Sequence, residues 1–185
     1  RAKQYATGKR HGNIILHGPQ GTGKSTAARV IVQTLFNTYD HSHAIPEFHA
    51  KDFDKMKEMD ARIYGEWNLQ RACGVETPYV IINEFDQLSA EKKHHIRGMI
   101  DETEVGNFIF TTNNIHNIDD PLQDRCDEIE MPPIDVADWR SKVFEWLSAK
   151  NISVQPDIID RMLATNNGTI RDLERIIDDI VCEFG

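Results

Sequence analysis

Gly18-Pro19-Gln20-Gly21-Thr22-Gly23-Lys24-Ser25-Thr26 decides how this 185-residue chain is read. The stretch fits G-x-x-x-x-G-K-[ST], and its flanks supply the setting that pattern requires. Before it runs Asn13-Ile14-Ile15-Leu16-His17, a short apolar run that predicts a strand. After it, apolar residues recur at helical spacing from Lys24 to about Phe36. Strand, glycine loop and helix together make a phosphate cradle. Glycines let successive backbone N–H groups turn inward, and the helix N-terminus adds partial positive charge. In such a loop residues 18–26 bind the nucleotide, Lys24 reaches the β- and γ-phosphates of ATP, and the Ser25 hydroxyl ligates Mg2+.

A second polar site is predicted beside the first. Val80-Ile81-Ile82-Asn83-Glu84-Phe85-Asp86 is an apolar strand that ends in polar and acidic residues. In P-loop ATPases the first of these is usually an Asp that holds the Mg2+ shell. Asn83 stands there instead. Its amide accepts a hydrogen bond from a metal-bound water but carries no formal charge, so weaker metal-dependent binding or turnover is expected. Glu84 is the carboxylate suited to orient and activate an attacking water.

The surrounding pattern is α/β. Tyr79-Val80-Ile81-Ile82 and Asn107-Phe108-Ile109-Phe110-Thr111 read as buried strands of a parallel sheet. Between them Ser89 is placed to cap a helix running to about Glu102, with Ile96, Met99 and Ile100 inside. Residues 37–75 are the least legible, with one strand near Glu47 to Ala50 and one helix from about Lys55 to Cys73. A last strand, Asp127 to Met131, stops at Pro132-Pro133, and no later run reads as a strand. Three amphipathic helices follow instead. They carry Val136, Trp139, Val143, Trp146 and Leu147; then Ile158, Ile159, Met162 and Leu163; then Ile170, Leu173, Ile176, Ile177, Ile180 and Val181. The expected division is a core at 1–132 and a helical domain at 133–185.

Phe108-Ile109-Phe110-Thr111-Thr112-Asn113-Asn114, followed by Ile118-Asp119-Asp120-Pro121-Leu122-Gln123-Asp124-Arg125-Cys126, resembles the sensor-1 strand and Ser-Arg-Cys segment of sliding-clamp loaders. Both the replication factor C small-subunit type and its phage counterpart share it. With the glycine loop, the chain is identified as a member of the AAA+ ATPases. The resemblance implies a P-loop AAA+ core, its parallel sheet flanked by helices, and a small C-terminal three-helix lid. It implies that Asn113 helps place the hydrolytic water, and that Arg125 is an arginine finger reaching a neighbouring subunit's nucleotide. Asp124 departs from the family's Ser and stands where it can pair with Arg125. Gly168-Thr169-Ile170-Arg171-Asp172-Leu173 resembles the sensor-2 motif, with Thr169 as N-cap and Arg171 directed at the γ-phosphate. The implied partners are other AAA+ subunits in a ring or open ring, a sliding clamp and primer–template DNA.

Composition bounds these expectations. With 39% hydrophobic and 28% charged residues the chain can bury a sizeable core. No apolar run approaches the roughly 18 residues that span a bilayer, so no membrane partner is expected. A cytoplasmic location is expected, or a nuclear or host-cytoplasmic one for a eukaryotic or phage source. A net charge of −9 argues against a surface that coats nucleic acid everywhere. Local basic clusters stand at Lys9-Arg10-His11 and at Lys92-Lys93-His94-His95 with Arg97, the second equally readable as a solvated helix face or as a DNA contact. Cys73, Cys126 and Cys182 form no disulfide or zinc pattern, and His41-Ser42-His43 and His94-His95 lack a metal-binding motif. Two competing readings stay open. One is a nucleotide-binding structural subunit with little or no hydrolysis, marked by Asn83 and Asp124. The other is a different AAA+ DNA motor, a helicase or an initiator.

Overall fold

The computed structural model describes residues 11–35, 45–53, 55–102 and 104–184. Lys9, Arg10, His41 and His43 lie outside the described residues. Among the described residues five strands form one parallel sheet in the order β2-β3-β4-β1-β5: β1 Ile14–His17, β2 Glu47–His49, β3 Tyr79–Asn83, β4 Asn107–Thr112 and β5 Asp127–Glu130. The helices around it are α1 Lys24–Leu35, α2 Met56–Ala72, α3 Ala90–Glu102 and the short α4 Asp120–Gln123. The last strand ends one residue earlier than its sequence suggested, at Glu130.

Burial explains why the strands read as unbroken apolar runs. All five residues of β3 are buried, as expected for a parallel strand covered on both faces. Side chains alternate between two cores. Ile15, Val80, Ile82, Phe108 and Phe110 face Met59, Ile63 and Trp67 of α2 and Ile96 and Met99 of α3. Ile14, Leu16, Tyr79, Ile81 and Ile109 face Ala28, Ile31 and Val32 of α1.

The amino-terminal end of β3 is closed by α2. Gln70 is buried, its Nε2 donating to the Tyr79 carbonyl and its Oε1 accepting from the Tyr79 N–H, each at 2.9 Å. Trp67 packs edge-on against Phe108 at 4.9 Å. Gly106, just before β4, lies so close to this indole that a Cβ there would stand 2.4 Å from it.

The carboxyl ends of the strands are aligned at the opposite edge. His17 pairs with Thr112 across β1 and β4, and His49 with Asn83 across β2 and β3. β1 sits between β4 and β5 while the next strand in sequence, β2, lies at the far edge. The chain therefore leaves β1 at a topological switch point, where open α/β sheets present their ligand crevice.

Among the described residues, contacts divide the chain into two compact units, one falling within positions 11–18 and 24–130 and the other within 19–23 and 131–184. The second unit holds three helices: α5 Val136–Ala149, α6 Pro156–Leu163 and α7 Ile170–Phe184. Its core is Val143, Leu147, Ile159, Leu163, Leu173, Ile176 and Ile180. Asp135 caps α5 by accepting from the Ala137 N–H at 2.9 Å. Pro156 opens α6, where its missing N–H has no helical partner to lose. Trp146 departs from the apolar stripe of α5: it is 41% exposed, with the Lys150 ammonium 5.9 Å from its ring. Among the described residues no helix is long and apolar enough to cross a membrane.

Candidate functional site

The glycine loop adopts the backbone its sequence demands. Gly21 and Gly23 take φ of 82° and 85°, a region open to glycine and strained for other residues. Lys24, at the first position of α1, is 8% exposed, and its ammonium donates to the Gly18 carbonyl at 2.8 Å. Burial lowers its pKa, and the charge of Asp86 pulls it partly back. A buried cation at a helix N-terminus suits a phosphate.

Asn83, 1% exposed at the end of β3, organises the polar groups around it. Its Oδ1 accepts from the Ser25 hydroxyl at 2.7 Å and from the Thr111 hydroxyl at 2.9 Å. Its Nδ2 donates to Glu47 Oε1 at the start of β2. Glu47 is in turn gripped by Arg29 of α1 through Nε at 2.6 Å and Nη2 at 2.9 Å. That hydrogen bond holds the Arg29 guanidinium above its ordinary pKa. The oxygen groups of Ser25 and Asn83 suit a hard cation such as Mg2+, which ATP would bring with its phosphates.

Glu84 follows in the left-handed region, with φ 57° and ψ 40°. A non-glycine residue there costs about 1–2 kcal/mol. Its N–H donates to Thr111 Oγ1 at 3.3 Å, and its half-buried carboxylate has no hydrogen-bond or ion-pair partner among the described residues. Strain of this kind is characteristic of functional positions. Asp86 accepts from the Thr112 hydroxyl at 2.8 Å, tying the segment after β3 to the end of β4. Asn113 comes next, exposed and likewise without a partner among the described residues.

Sequence reasoning therefore placed Lys24, Ser25, Asn83 and Glu84 at one edge of the sheet. It missed Arg29, Glu47, Thr111 and Thr112. Glu47 and Arg29 are separated by 18 residues, and Glu47 and Asn83 by 36, so only the folded placement of α1, β2 and β3 reveals them.

The two other arginines differ from each other. Arg125, in the turn after α4, does not pair with Asp124, as its neighbour's acidity suggested. It forms a bidentate pair with Asp101 of α3 at 2.6 and 3.0 Å and also donates to the Pro121 carbonyl. Asp124 reaches it only as a more distant charge. The adjacent Cys126 thiol is pushed up to about 12, first by burial and then by Asp127 and Glu128, so it is no nucleophile at neutral pH. Arg171, in the first turn of α7, is exposed and unpaired among the described residues. Its neighbour Asp172 is occupied by Asn167 and Arg175. Thr169 caps this helix by accepting from the Asp172 N–H at 3.1 Å.

The basic residues of α3 are largely committed to the fold. Lys92 donates to the Phe53 carbonyl, Lys93 to the carbonyls of Asp86 and Asn117 at 2.9 and 2.8 Å, and Arg97 to Asp119 at 2.6 Å. His95 meets Asp60 at 2.6 Å.

Comparison with known proteins places this site in context. The replication factor C small subunit of Staphylothermus marinus is 22% identical over 92% of the chain and 52% of its own length. Replication factor C subunit 4 of Arabidopsis thaliana is 23% identical over 86% of the chain and 50% of its own length. The chain thus spans about half the length of the curated relatives it matches. Among solved structures, the RuvB Holliday junction branch migration motor of Thermotoga maritima superposes with a TM-score of 0.72. It is 17% identical, covering 95% of the chain and 56% of RuvB, a likeness of fold. Residues 14–133, well over half the chain, match the model of the ATPase family associated with various cellular activities, and the chain belongs to that AAA family.

Proposed function

We propose that this chain is the ATP-binding and ATP-hydrolysing part of a DNA sliding-clamp loader subunit, acting in DNA replication. The observation that carries the reading is the convergence of Lys24, Ser25, Asn83, Glu84 and Thr111 at the carboxyl edge of β1, β3 and β4. The similarity to replication factor C small subunits supports the job; membership of an ATPase family supports the chemistry. Residues 18–26 cradle the phosphates, Lys24 neutralises charge on the β- and γ-phosphates, and Ser25 with Asn83 serves Mg2+, the cation that bridges phosphate oxygens during hydrolysis. Glu84 orients the attacking water, and Asn113 helps to place it. Residues 1–132 act as the nucleotide-binding core and 133–185 as a lid whose Arg171 meets the γ-phosphate. Arg125 serves a neighbouring subunit's nucleotide. The partners are other AAA+ subunits in a ring or open ring, a sliding clamp and primer–template DNA, in the cytoplasm, the nucleus or a host cell.

One observation favours a second reading, a structural subunit that binds ATP and turns it over little. Arg125 is held by Asp101 of its own chain, which lowers the Asp101 pKa as it raises that of the arginine. ATP turnover per molecule, measured against protein concentration with Mg2+ and primed DNA, separates the two. The clamp-loader reading expects a rate that climbs with concentration and falls about 10³-fold or more in Arg125→Ala, the range of a lost arginine finger. Tight ATP binding with no turnover at any concentration would establish the structural subunit instead.

A further inference from the structure

Three groups meet the side-chain amide of Asn83: the hydroxyls of Ser25 and Thr111 and the carboxylate of Glu47. They differ in what they can do. A hydroxyl rotates to donate or accept, a carboxylate only accepts, and an amide has an oxygen on one side and an NH2 on the other. If the amide were turned over, the Ser25 hydroxyl would adapt, and that of Thr111, which already accepts from the Glu84 N–H, would do so once its proton found another acceptor. Glu47 would not, because its oxygen would then face Asn83 Oδ1, acceptor against acceptor, beside a residue that is 1% exposed. Glu47 is therefore the partner that most firmly sets the direction of the amide. Arg29, which only donates, holds Glu47 in place through both carboxylate oxygens.

The direction passes on to Ser25. With Oδ1 as acceptor, the Ser25 hydroxyl directs its proton at Asn83 and keeps its lone pairs for a cation. With the amide reversed, Nδ2 would donate to Ser25, occupying a lone pair and leaving the proton to face the metal. We propose that Glu47 is a positioning residue for Mg2+-nucleotide binding, acting through Asn83 to present the Ser25 oxygen. It is the partner that lets an amide serve where an Asp is usual. A carboxylate at position 83 offers an acceptor on each side, needs no such partner, and is opposed by the carboxylate of Glu47. This inference rests on the nucleotide-site reading above.

ATP titration calorimetry with Mg2+ and with EDTA, on the full chain, tests it through E47A, E47Q, N83D and E47A/N83D. E47A is expected to weaken Mg2+-ATP binding about tenfold while changing binding in EDTA by less than about twofold. E47Q keeps an oxygen that accepts from Asn83, and its loss stays within about threefold. E47A/N83D is expected to bind Mg2+-ATP at least as tightly as N83D, in which the Glu47 carboxylate opposes a second carboxylate. Equal losses with and without Mg2+, or the same loss from E47A whether or not N83D is present, would overturn the proposal. A readout without nucleotide guards against failure of the wider reading. The side-chain NH2 resonances of Asn83, identified by their disappearance in N83D, are expected to shift and lose exchange protection in E47A. Resonances unmoved by E47A overturn the proposal even if no ATP binds.

Discussion

The two ends of β3 are both buried and both polar, yet they are built from different partners. At the amino end, Gln70 satisfies the N–H and carbonyl of Tyr79, and Trp67 and Gly106 pack beside them. Every polar partner of that glutamine is backbone, fixed by the fold. At the carboxyl end, Asn83 binds three side chains, two of them hydroxyls, and Glu84 holds a strained backbone next to it. The first end resists change because it has one solution. The second is built from side chains, among them a Ser25 hydroxyl with lone pairs to spare, that an incoming ligand can engage.

The contrast breaks if disturbing the amino end alters nucleotide chemistry, or if disturbing the carboxyl end unfolds the chain. The largest expected effect is Gln70→Leu, which strands the Tyr79 N–H and carbonyl in a buried place. A loss of about 2–4 kcal/mol in urea unfolding is expected, with ATP affinity of the remaining folded protein unchanged. Gly106→Ala comes next. The added methyl must displace the Trp67 indole, at an expected cost of about 1–3 kcal/mol by the same measurement. A near-neutral result for either would mean that this end is not the rigid one.

The same contrast explains what the sequence disclosed. The glycine loop, the strands and the caps at Ser89 and Thr169 were legible because each is a local pattern: continuous apolar runs for buried parallel strands, and a hydroxyl one residue before a helix. The α2 helix was harder to read because its buried stripe, Met59, Ile63, Trp67 and Gln70, includes a glutamine whose partners lie on another element. Asn83 read as a weakened acid because its compensation, Glu47, arrives through sheet register. Arg125 drew attention to the acid beside it, Asp124, whereas the side chain reaches across to Asp101, 24 residues earlier. Charged side chains are long enough to choose distant partners, and that choice belongs to the fold.

The smallest expected effect is the sharpest test of the strained end. Glu84 sits at φ 57°, where glycine is at ease and a Cβ costs about 1–2 kcal/mol. Glycine also adds about 0.5–1 kcal/mol of backbone entropy to the unfolded chain, so the gain from removing the Cβ is partly offset. Glu84→Gly is therefore expected to match the parent or exceed it by up to about 1 kcal/mol in urea unfolding. Glu84→Ala retains the strain and falls below Glu84→Gly by about that amount. Both lose the carboxylate and, on the proposed mechanism, ATP turnover. Equal stability of the two variants would mean that the backbone relaxes once the glutamate is gone, so that the strain belongs to the side chain's placement. A stable glycine variant that binds ATP without turning it over would mean that the chain accepts a strained backbone to keep a carboxylate at that point.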